Sequence, residues 1–409
     1  MNVIFLTMSR IADISKRHIY TDLLRKFRDE GHHVYIVTPF ERSIGRSTEL
    51  KEQDGVHILG VKTLNLQKTS IIEKGIGQVL VEGQYKRAIK KYLSGVSFDL
   101  ILYSTPPITF PKVIAFLKQR NTQSKTYLLL KDIFPQNAVD IGMMSTSGVK
   151  GLLYSHFRNK EKKLYQLSDF IGCMSPANVE YVLKHNPEIA RERVEVAPNS
   201  LSLMEELSPS DERNKRLTER GYIRNKYGLK SDVPIFLYGG NLGKPQGINF
   251  LMKCLEANKT KEDCMFLIVG DGTEYRNIET WVKGMRPQNV KLMQRLTKED
   301  YDMLVGSCDV GLIFLDHRFT IPNYPSRLLS YLENKMPVLC ATDPNTDMGR
   351  IAEENGYGYW CESNSVDDFT RILDKMLKAD RESMGKKGYE YLKSNYLVQN
   401  TYDAIIKHF

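Results

Sequence analysis

The sequence predicts an α/β protein of two domains, each a parallel sheet covered by helices. Three observations carry that prediction. Short apolar runs alternate with helical stretches through the first half of the chain, and the alternation resumes in the second. A highly charged stretch, Glu205 to Lys226, interrupts it and marks a boundary near residue 200. The 409 residues are too many for one small core and suit two of ordinary size.

A hydrophobic content of 41% and a charged content of 26% are those of a soluble globular protein. The formal net charge of +9 suits a nucleotide, a phosphorylated substrate or an anionic membrane surface, without choosing among them. The six cysteines (Cys173, Cys254, Cys264, Cys308, Cys340, Cys361) form no CxxC pair. They read as reduced thiols of a cytosolic protein, not a disulfide framework or zinc site. Asn2 to Met8 is apolar but short, with no basic region before it, so a first strand is expected rather than a signal peptide. No run of about 18 apolar residues offers a membrane span, so membrane contact would be peripheral.

Val3 to Thr7 is the first strand, and a loop through Ser15, Lys16 and His18 leads into the helix Ile19 to Glu30, which Gly31 closes. His33 to Val37 is the next strand, stopped by Pro39. This βαβ unit implies a parallel sheet, whose ligands bind at the carboxyl ends of the strands. The Met8–His18 loop is at such an end. His18 is either a contact there or a solvated helix-start residue.

Ser70 to Leu93 places Ile71, Ile72, Ile76, Val79 and Leu80 at roughly helical spacing, ahead of Lys86, Arg87, Lys90 and Lys91. Such a helix could lie on an anionic lipid surface, or pack on the core with a charged outer face. Phe98 to Tyr103 is a strand, Pro111 to Arg120 a helix, and Lys125 to Leu130 a strand running into Lys131-Asp132. Asp132 at a strand's carboxyl end is a candidate for chemistry, the alternative being a turn or cap. Leu152 to Leu167 is a charged helix, Asp169 to Met174 a strand, and Val194 to Ser200 a strand entering a Pro-Asn turn.

In the second half, the strand Ile235 to Tyr238 enters a glycine-rich loop, Gly239 to Gly247, before the helix Ile248 to Leu255. Gly240, Asn241, Gly243 and Lys244 make this loop a candidate phosphate cradle, although it fits neither GxxxxGK[ST] nor GxGxxG. Met265 to Val269 leads into the turn Gly270-Asp271-Gly272, and Val290 to Met293 precedes Arg295 and Leu296. Asp300-Tyr301-Asp302 is formally a DxD string, but Thr297 and Asp300 read as a helix-start capping box, and no metal is assigned there. Asp309 to Leu315 is a strand before the segment Asp316 to Cys340. In that segment Pro325 and Ser326 read as a helix start, with Ser326 the capping side chain, and Pro337 as its stop. Arg327 in the first turn opposes the helix dipole, so helix stability gives no reason for it. An anion held by the helix end and the guanidinium would.

The series Gly239–Gly247, Val269–Gly272, Asp309–Ile313 and Pro325–Leu332 with Pro337-Val338 resembles, in that order, glycosyltransferase family 4. The most specific matches are Phe319-Thr-Ile-Pro-Asn-Tyr-Pro-Ser-Arg327 and Lys131-Asp-Ile-Phe-Pro135. They are most similar to the branch that transfers N-acetyl-6-deoxyhexosamines, such as N-acetylfucosamine, in bacterial capsule and O-antigen assembly. The resemblance implies a GT-B fold of two Rossmann-like domains. Residues 1–200 would bind the acceptor and 201–394 the nucleotide sugar, with the segment 395–409, helical from Tyr396 to Phe409, crossing back to the first domain.

It further implies a retaining transfer from a UDP-sugar substrate, with no metal, no cofactor and no nucleic-acid partner. The implied acceptor is a saccharide on undecaprenyl diphosphate. The enzyme would be cytoplasmic, peripheral at the inner face of the plasma membrane. By resemblance, Arg327, Ser326, Lys244 and the Gly240–Gly243 loop would hold the diphosphate. Gly270, Asp271 and Gly272 with Arg295 and Leu296 would hold the base. Phe319, Asn323, Tyr324 and Pro325 would line the donor sugar, and Asp132 would orient the acceptor hydroxyl or take its proton. Ser15, Lys16 and His18 would be on the acceptor side.

Ser330 stands where the family commonly has a ribose-binding acid. Pro322 is near the place of the motif's other acid. Glu333, three residues after Ser330, is the available substitute. Asn241 and Gln246 replace a usual Arg and Lys. Two rivals remain, a GT-B-fold UDP-sugar 2-epimerase and a non-catalytic nucleotide-sugar-binding partner.

Overall fold

A computed structural model of the chain describes residues 1–66, 71–106, 108–203 and 219–409. They form two compact units, Met1–Ser202 with Val398–Phe409, and Leu203–Leu397.

In the first unit an eight-stranded sheet has the order β3-β4-β2-β1-β5-β6-β7-β8. The strands are β1 (Asn2–Leu6), β2 (His33–Glu41), β3 (Glu49–Gln53), β4 (Val56–Thr63), β5 (Leu100–Thr105), β6 (Lys125–Leu130), β7 (Phe170–Cys173) and β8 (Val194–Val196). Only the β3–β4 pairing among these is antiparallel. All six residues of β5 are buried, as expected of a central strand with helices on both faces. The helices are α1 (Ile19–Asp29), α2 (Ile71–Tyr92), α3 (Pro111–Arg120), α4 (Gln136–Asp140), α5 (Gly148–Leu167) and α6 (Pro176–His185).

Pro39 does not stop β2, contrary to its sequence reading. It pairs with Val61 of β4, and the strand continues to Glu41. The β1 pairing ends at Leu6 opposite Val37, so at Pro39 only β4 is alongside and the missing N–H is tolerated as at a sheet edge.

The chain's last helix, Val398–Ile406, belongs to this unit and packs on α1. Tyr402 meets Phe27 edge-on, with ring centroids 4.9 Å apart, and its hydroxyl is 2.9 Å from His32 Nε2. The helix starts two residues later than the sequence suggested, and Tyr396 is assigned to the second unit.

The second unit has a six-stranded sheet, ordered β11-β10-β9-β12-β13-β14, with every pair parallel. Its strands are β9 (Ile235–Asn241), β10 (Met265–Asp271), β11 (Val290–Met293), β12 (Val310–Phe314), β13 (Val338–Thr342) and β14 (Gly358–Glu362). Besides the helical residues 219–226, the helices are α7 (Ile248–Ala257), α8 (Tyr275–Met285), α9 (Lys298–Gly306), α10 (Arg327–Glu333), α11 (Met348–Glu354), α12 (Val366–Lys378) and α13 (Arg381–Asn395), and the chain's last helix is labelled α14. Thr297 caps α9 by accepting from the Asp300 amide at 3.2 Å. Asp300 and Asp302 pair with Lys226 at 2.9 Å and Lys298 at 2.6 Å. All six cysteines are buried and unbridged.

Candidate functional site

Parallel strands place their carboxyl ends on one edge of the sheet, and in the second unit three of those ends are tied together. The sequence reading ended β9 at Tyr238 and β10 at Val269. Both strands instead run three and two residues further, pairing Gly240 with Gly270 and Asn241 with Asp271. The glycines read as a loop because they lack side chains, yet they are there for packing. A Cβ on Gly270 would lie 1.8 Å from the Gly240 carbonyl oxygen, and one on Gly272 would lie 2.4 Å from that of Leu242. Leu242 N–H donates to the Asp271 carbonyl at 2.8 Å, and Glu274 N–H to that of Leu242 at 2.9 Å. Gly270→Ala therefore forces backbone against backbone. We expect a loss of at least about 3 kcal/mol, seen as a Tm lower by roughly 10 °C in a thermal melt.

The Gly239–Gly247 segment is closed on itself by Gln246. Its Oε1 accepts from Asn241 Nδ2 at 2.9 Å and from Gly243 N–H at 3.3 Å, while Tyr238 Oη donates to the Asn241 carbonyl at 2.8 Å. Two loop amides expected to face a phosphate, those of Leu242 and Gly243, are thus engaged within the protein. Lys244 is exposed and opens a short 3₁₀ turn. The loop after β12 joins this one through Asp316 N–H to the Pro245 carbonyl at 3.1 Å.

Arg327 is where these parts meet. Its guanidinium lies 4.4 Å from the Tyr238 ring centroid, and a Cβ on Gly240 would be 3.6 Å from its Cζ. Tyr331 Oη accepts from Gly239 N–H at 3.1 Å and donates to the Leu237 carbonyl at 3.1 Å. A Cβ on Gly239 would lie 1.8 Å from Tyr301 Oη, so glycine there makes room for that hydroxyl. Burial raises the Tyr238 hydroxyl and pushes that of Tyr301 up to about 12, so both rings stay neutral and present π-faces or dipoles to the cation. Burial works against the Arg327 charge, but the Tyr238 and Tyr331 hydroxyls offset it and the group stays charged. Its Nη1 is buried without a hydrogen-bond partner, and among the described residues no carboxylate pairs with the guanidinium. A half-buried cation without a counter-ion is a place that an anion can complete at little cost.

The helix end contributes less than expected. α10 has seven residues, and Ser326 makes no side-chain capping bond. Ser326 is itself in the helical conformation, and Leu328 N–H already turns back to the Pro325 carbonyl at 3.2 Å. Its hydroxyl is therefore not in the extended geometry that a capping side chain needs. Phe319 and Tyr324 are buried, at 2% and 9% exposure; Asn323 is half-buried and Pro325 partly so. Ser330 and Glu333 share one face of α10, and Arg295 and Leu296 follow β11. Ser330 lies one turn along α10 from Arg327.

In the first unit Asp132 follows β6, beside the ends of β5 and β7. Burial pushes its carboxyl up to about 6, against donors from Ile133 N–H and from Asn137 Nδ2 at 2.9 Å. Burial pushes the neighbouring Lys131 down to about 7, and its Nζ donates to the Ala197 carbonyl at 3.1 Å. Ser15 and Lys16 are exposed in the loop after β1. His18 starts α1, its Nδ1 accepting from Tyr20 N–H at 3.3 Å, the helix-start role left open above.

Sequence reasoning missed the tyrosines around Arg327. Tyr238 was read as a strand end and Tyr301 as the middle of a DxD string, and Tyr331 was given no role in the site. The signal available was Gly239, a glycine inside a strand, which marks a close approach.

Comparison with known proteins adds to this geometry. Residues 219–391 match the family described as Glycosyl transferases group 1. A "Probable glycosyltransferase WbjE" of Pseudomonas aeruginosa is 21% identical over 333 residues, spanning 80% of this chain and 78% of that protein. Among solved structures, sucrose-phosphate synthase from Thermosynechococcus elongatus superposes with a TM-score of 0.75 at 14% identity, covering 100% of this chain and 98% of that one. Anabaena Alr3699/HepE, solved with UDP and glucose, gives 0.67 at 14% identity, covering 100% and 99%. WaaG, a glycosyltransferase involved in lipopolysaccharide biosynthesis, gives 0.63 at 14%, covering 98% and 99%. Residues 219–391 thus resemble a group 1 glycosyl transferase domain, within a chain of GT-B fold.

Proposed function

We propose that this protein transfers a sugar, with retention at its anomeric carbon, from a UDP-sugar to a lipid-linked saccharide. The observation that carries the reading is Arg327, half-buried over Tyr238, its Nη1 buried without a partner and no described carboxylate paired with it, at the joined ends of β9 and β12. As the sugar–phosphate bond breaks, negative charge grows on the diphosphate oxygens and the sugar becomes oxocarbenium-like. A cation already in place, needing no reorganisation, lowers that barrier. The leaving diphosphate is thus stabilised by protein charge, without a metal. Asp132 is the acceptor-side group in this reading, orienting the attacking hydroxyl or taking its proton.

The finer identity rests on resemblance: an N-acetyl-6-deoxyhexosamine donor, an undecaprenyl-diphosphate saccharide acceptor, and a role in capsule or O-antigen assembly. WaaG's part in lipopolysaccharide biosynthesis and HepE's binding of UDP and glucose favour the broader reading, a nucleotide-sugar transferase of polysaccharide assembly. The test is a thermal-shift panel of nucleoside diphosphates and their sugars, followed by product analysis with and without a lipid-linked acceptor. UDP at a hundred times its Kd should add about 2.7 kcal/mol to stability. No shift with any nucleoside diphosphate would sink the reading. Conversion of a UDP-sugar without acceptor would point to the isomerase instead.

Peripheral attachment at an anionic membrane is part of the same proposal, and α2 supports it. Its exposed residues Ile76, Val79, Leu80, Gly83, Lys86, Arg87 and Lys90 recur at three- and four-residue steps, while Val81, Tyr85 and Ile89 are buried. The outward stripe is apolar first, with Val79 72% exposed, and cationic after. Ile71 and Ile72 have side chains outside the described residues. No helix among the described residues is long and apolar enough to cross a membrane. Neutralising Arg87 and Lys90 together should remove about 2 kcal/mol of attraction, roughly thirtyfold in partitioning to vesicles containing anionic lipid, measured by co-sedimentation. Equal binding of the wild type to anionic and neutral vesicles would count against it.

A further inference from the structure

The segment between β12 and α10 runs from Leu315 to Ser326 without regular secondary structure, and it delivers Arg327. A stretch of that kind has no ladder of backbone bonds to hold it, so its conformation depends on side chains from elsewhere. The turn after β13 supplies them. Asn345 Nδ2 donates to the Phe319 carbonyl at 2.7 Å. Asn323 N–H donates to Thr346 Oγ1 at 3.0 Å, and Thr346 Oγ1 donates in turn to Asp343 Oδ2 at 2.9 Å. Asp343 Oδ1 accepts the amides of Asn345 and Thr346, both at 2.9 Å, fixing the turn that presents both side chains. Asp343 and Thr346 are fully buried. At the other end, the hydroxyls of Tyr324 and Tyr396 are bonded to each other.

We propose that Asp343 and Thr346 are positioning residues for the nucleotide-sugar site. They hold the 319–326 segment, and through it Arg327, in the conformation that accepts the donor. The inference rests on the donor-site reading above. A single hydroxyl does both jobs, accepting from the loop and donating to a carboxylate. Each bond polarises the other, in an interior where such bonds gain strength. Valine has the same shape but neither capacity, whereas serine keeps both.

The experiment compares Thr346→Val, Thr346→Ser and Tyr396→Phe with the wild type. Hydrogen exchange of amides in 316–327 is read in the free protein, and steady-state kinetics with the UDP-sugar that the panel identifies. Thr346→Val should speed exchange in that segment at least tenfold while the strands of both sheets keep their protection. It should raise the donor KM about tenfold or more, with a smaller change in kcat. Thr346→Ser should return both within about threefold of wild type. Tyr396→Phe should act on the Tyr324 end of the segment alone. Unchanged exchange in Thr346→Val overturns the proposal, whether or not the protein proves to use a nucleotide sugar. Faster exchange with an unchanged donor KM overturns the link to the donor. A wild type that turns over no UDP-sugar counts against the function, and the exchange result then decides the strut by itself.

Discussion

Replacing Arg327 by alanine is expected to cut turnover by at least about a thousandfold and leave the fold in place. A thousandfold corresponds to about 4 kcal/mol of lost transition-state stabilisation, within the range for removing one preorganised donor or cation. The physical case is the imbalance around the side chain. Its guanidinium is held over Tyr238, its Nη1 has no partner, and no described carboxylate neutralises it. A residue placed for stability alone would have been given a counter-ion. Truncation should therefore cost little folding energy, because the lost stacking is offset by removal of an uncompensated charge. The Tm should stay within about 3 °C of wild type. Arg327→Lys separates charge from shape. It keeps the positive charge but loses the planar fork and the stack on Tyr238, so activity should recover only in part. Single-turnover rates and thermal melts on the three proteins check this. Near-normal rates in Arg327→Ala would remove Arg327 from the site, and a collapse of Tm would make its role structural.

The alternation of strands and helices was legible because each strand is short, apolar and bounded by turn residues, and parallel sheets write that pattern plainly. Arg327 and Asp132 are candidates the sequence alone could nominate, Arg327 because a cation in a first helical turn opposes the dipole and Asp132 because it follows a strand's carboxyl end. What escaped was set by long-range contact. Gly239 to Asn241 looked like loop, yet the sheet continues through it because Gly270 lets two backbones approach. Pro39 looked like a stop, yet it sits where β2 has a neighbour on one side only. Ser326 looked like a cap, yet Pro325 had already begun the turn. The tyrosine surround of Arg327 gathers residues 238, 301 and 331, and the strut on its loop comes from Asp343 to Thr346. No local pattern connects positions so far apart in the chain.

Asp132→Asn should show the opposite signs in activity and stability. A carboxylate pushed up to about 6 by burial is held less comfortably as an anion than in the unfolded chain, where its ordinary value is 3.8. The folded protein therefore binds more protons than the unfolded one between those values, and stability falls as pH rises from about 4 to about 6. Above pH 6 the ionised group costs at most about 3 kcal/mol, reduced by whatever solvent reaches it. Asparagine carries no such charge, so Asp132→Asn should melt higher than wild type at pH 8 and no higher at pH 4. Activity should run the other way. If Asp132 takes the proton of the acceptor hydroxyl or fixes its direction, only the ionised form works. Wild-type kcat/KM should then drop tenfold for each pH unit below about 6, and Asp132→Asn should lose about a hundredfold or more at pH 7.5 and show no such limb. A variant that is less stable at pH 8, or that keeps the acidic limb of the profile, would assign the titration to another group and leave Asp132 as a turn residue held by Asn137.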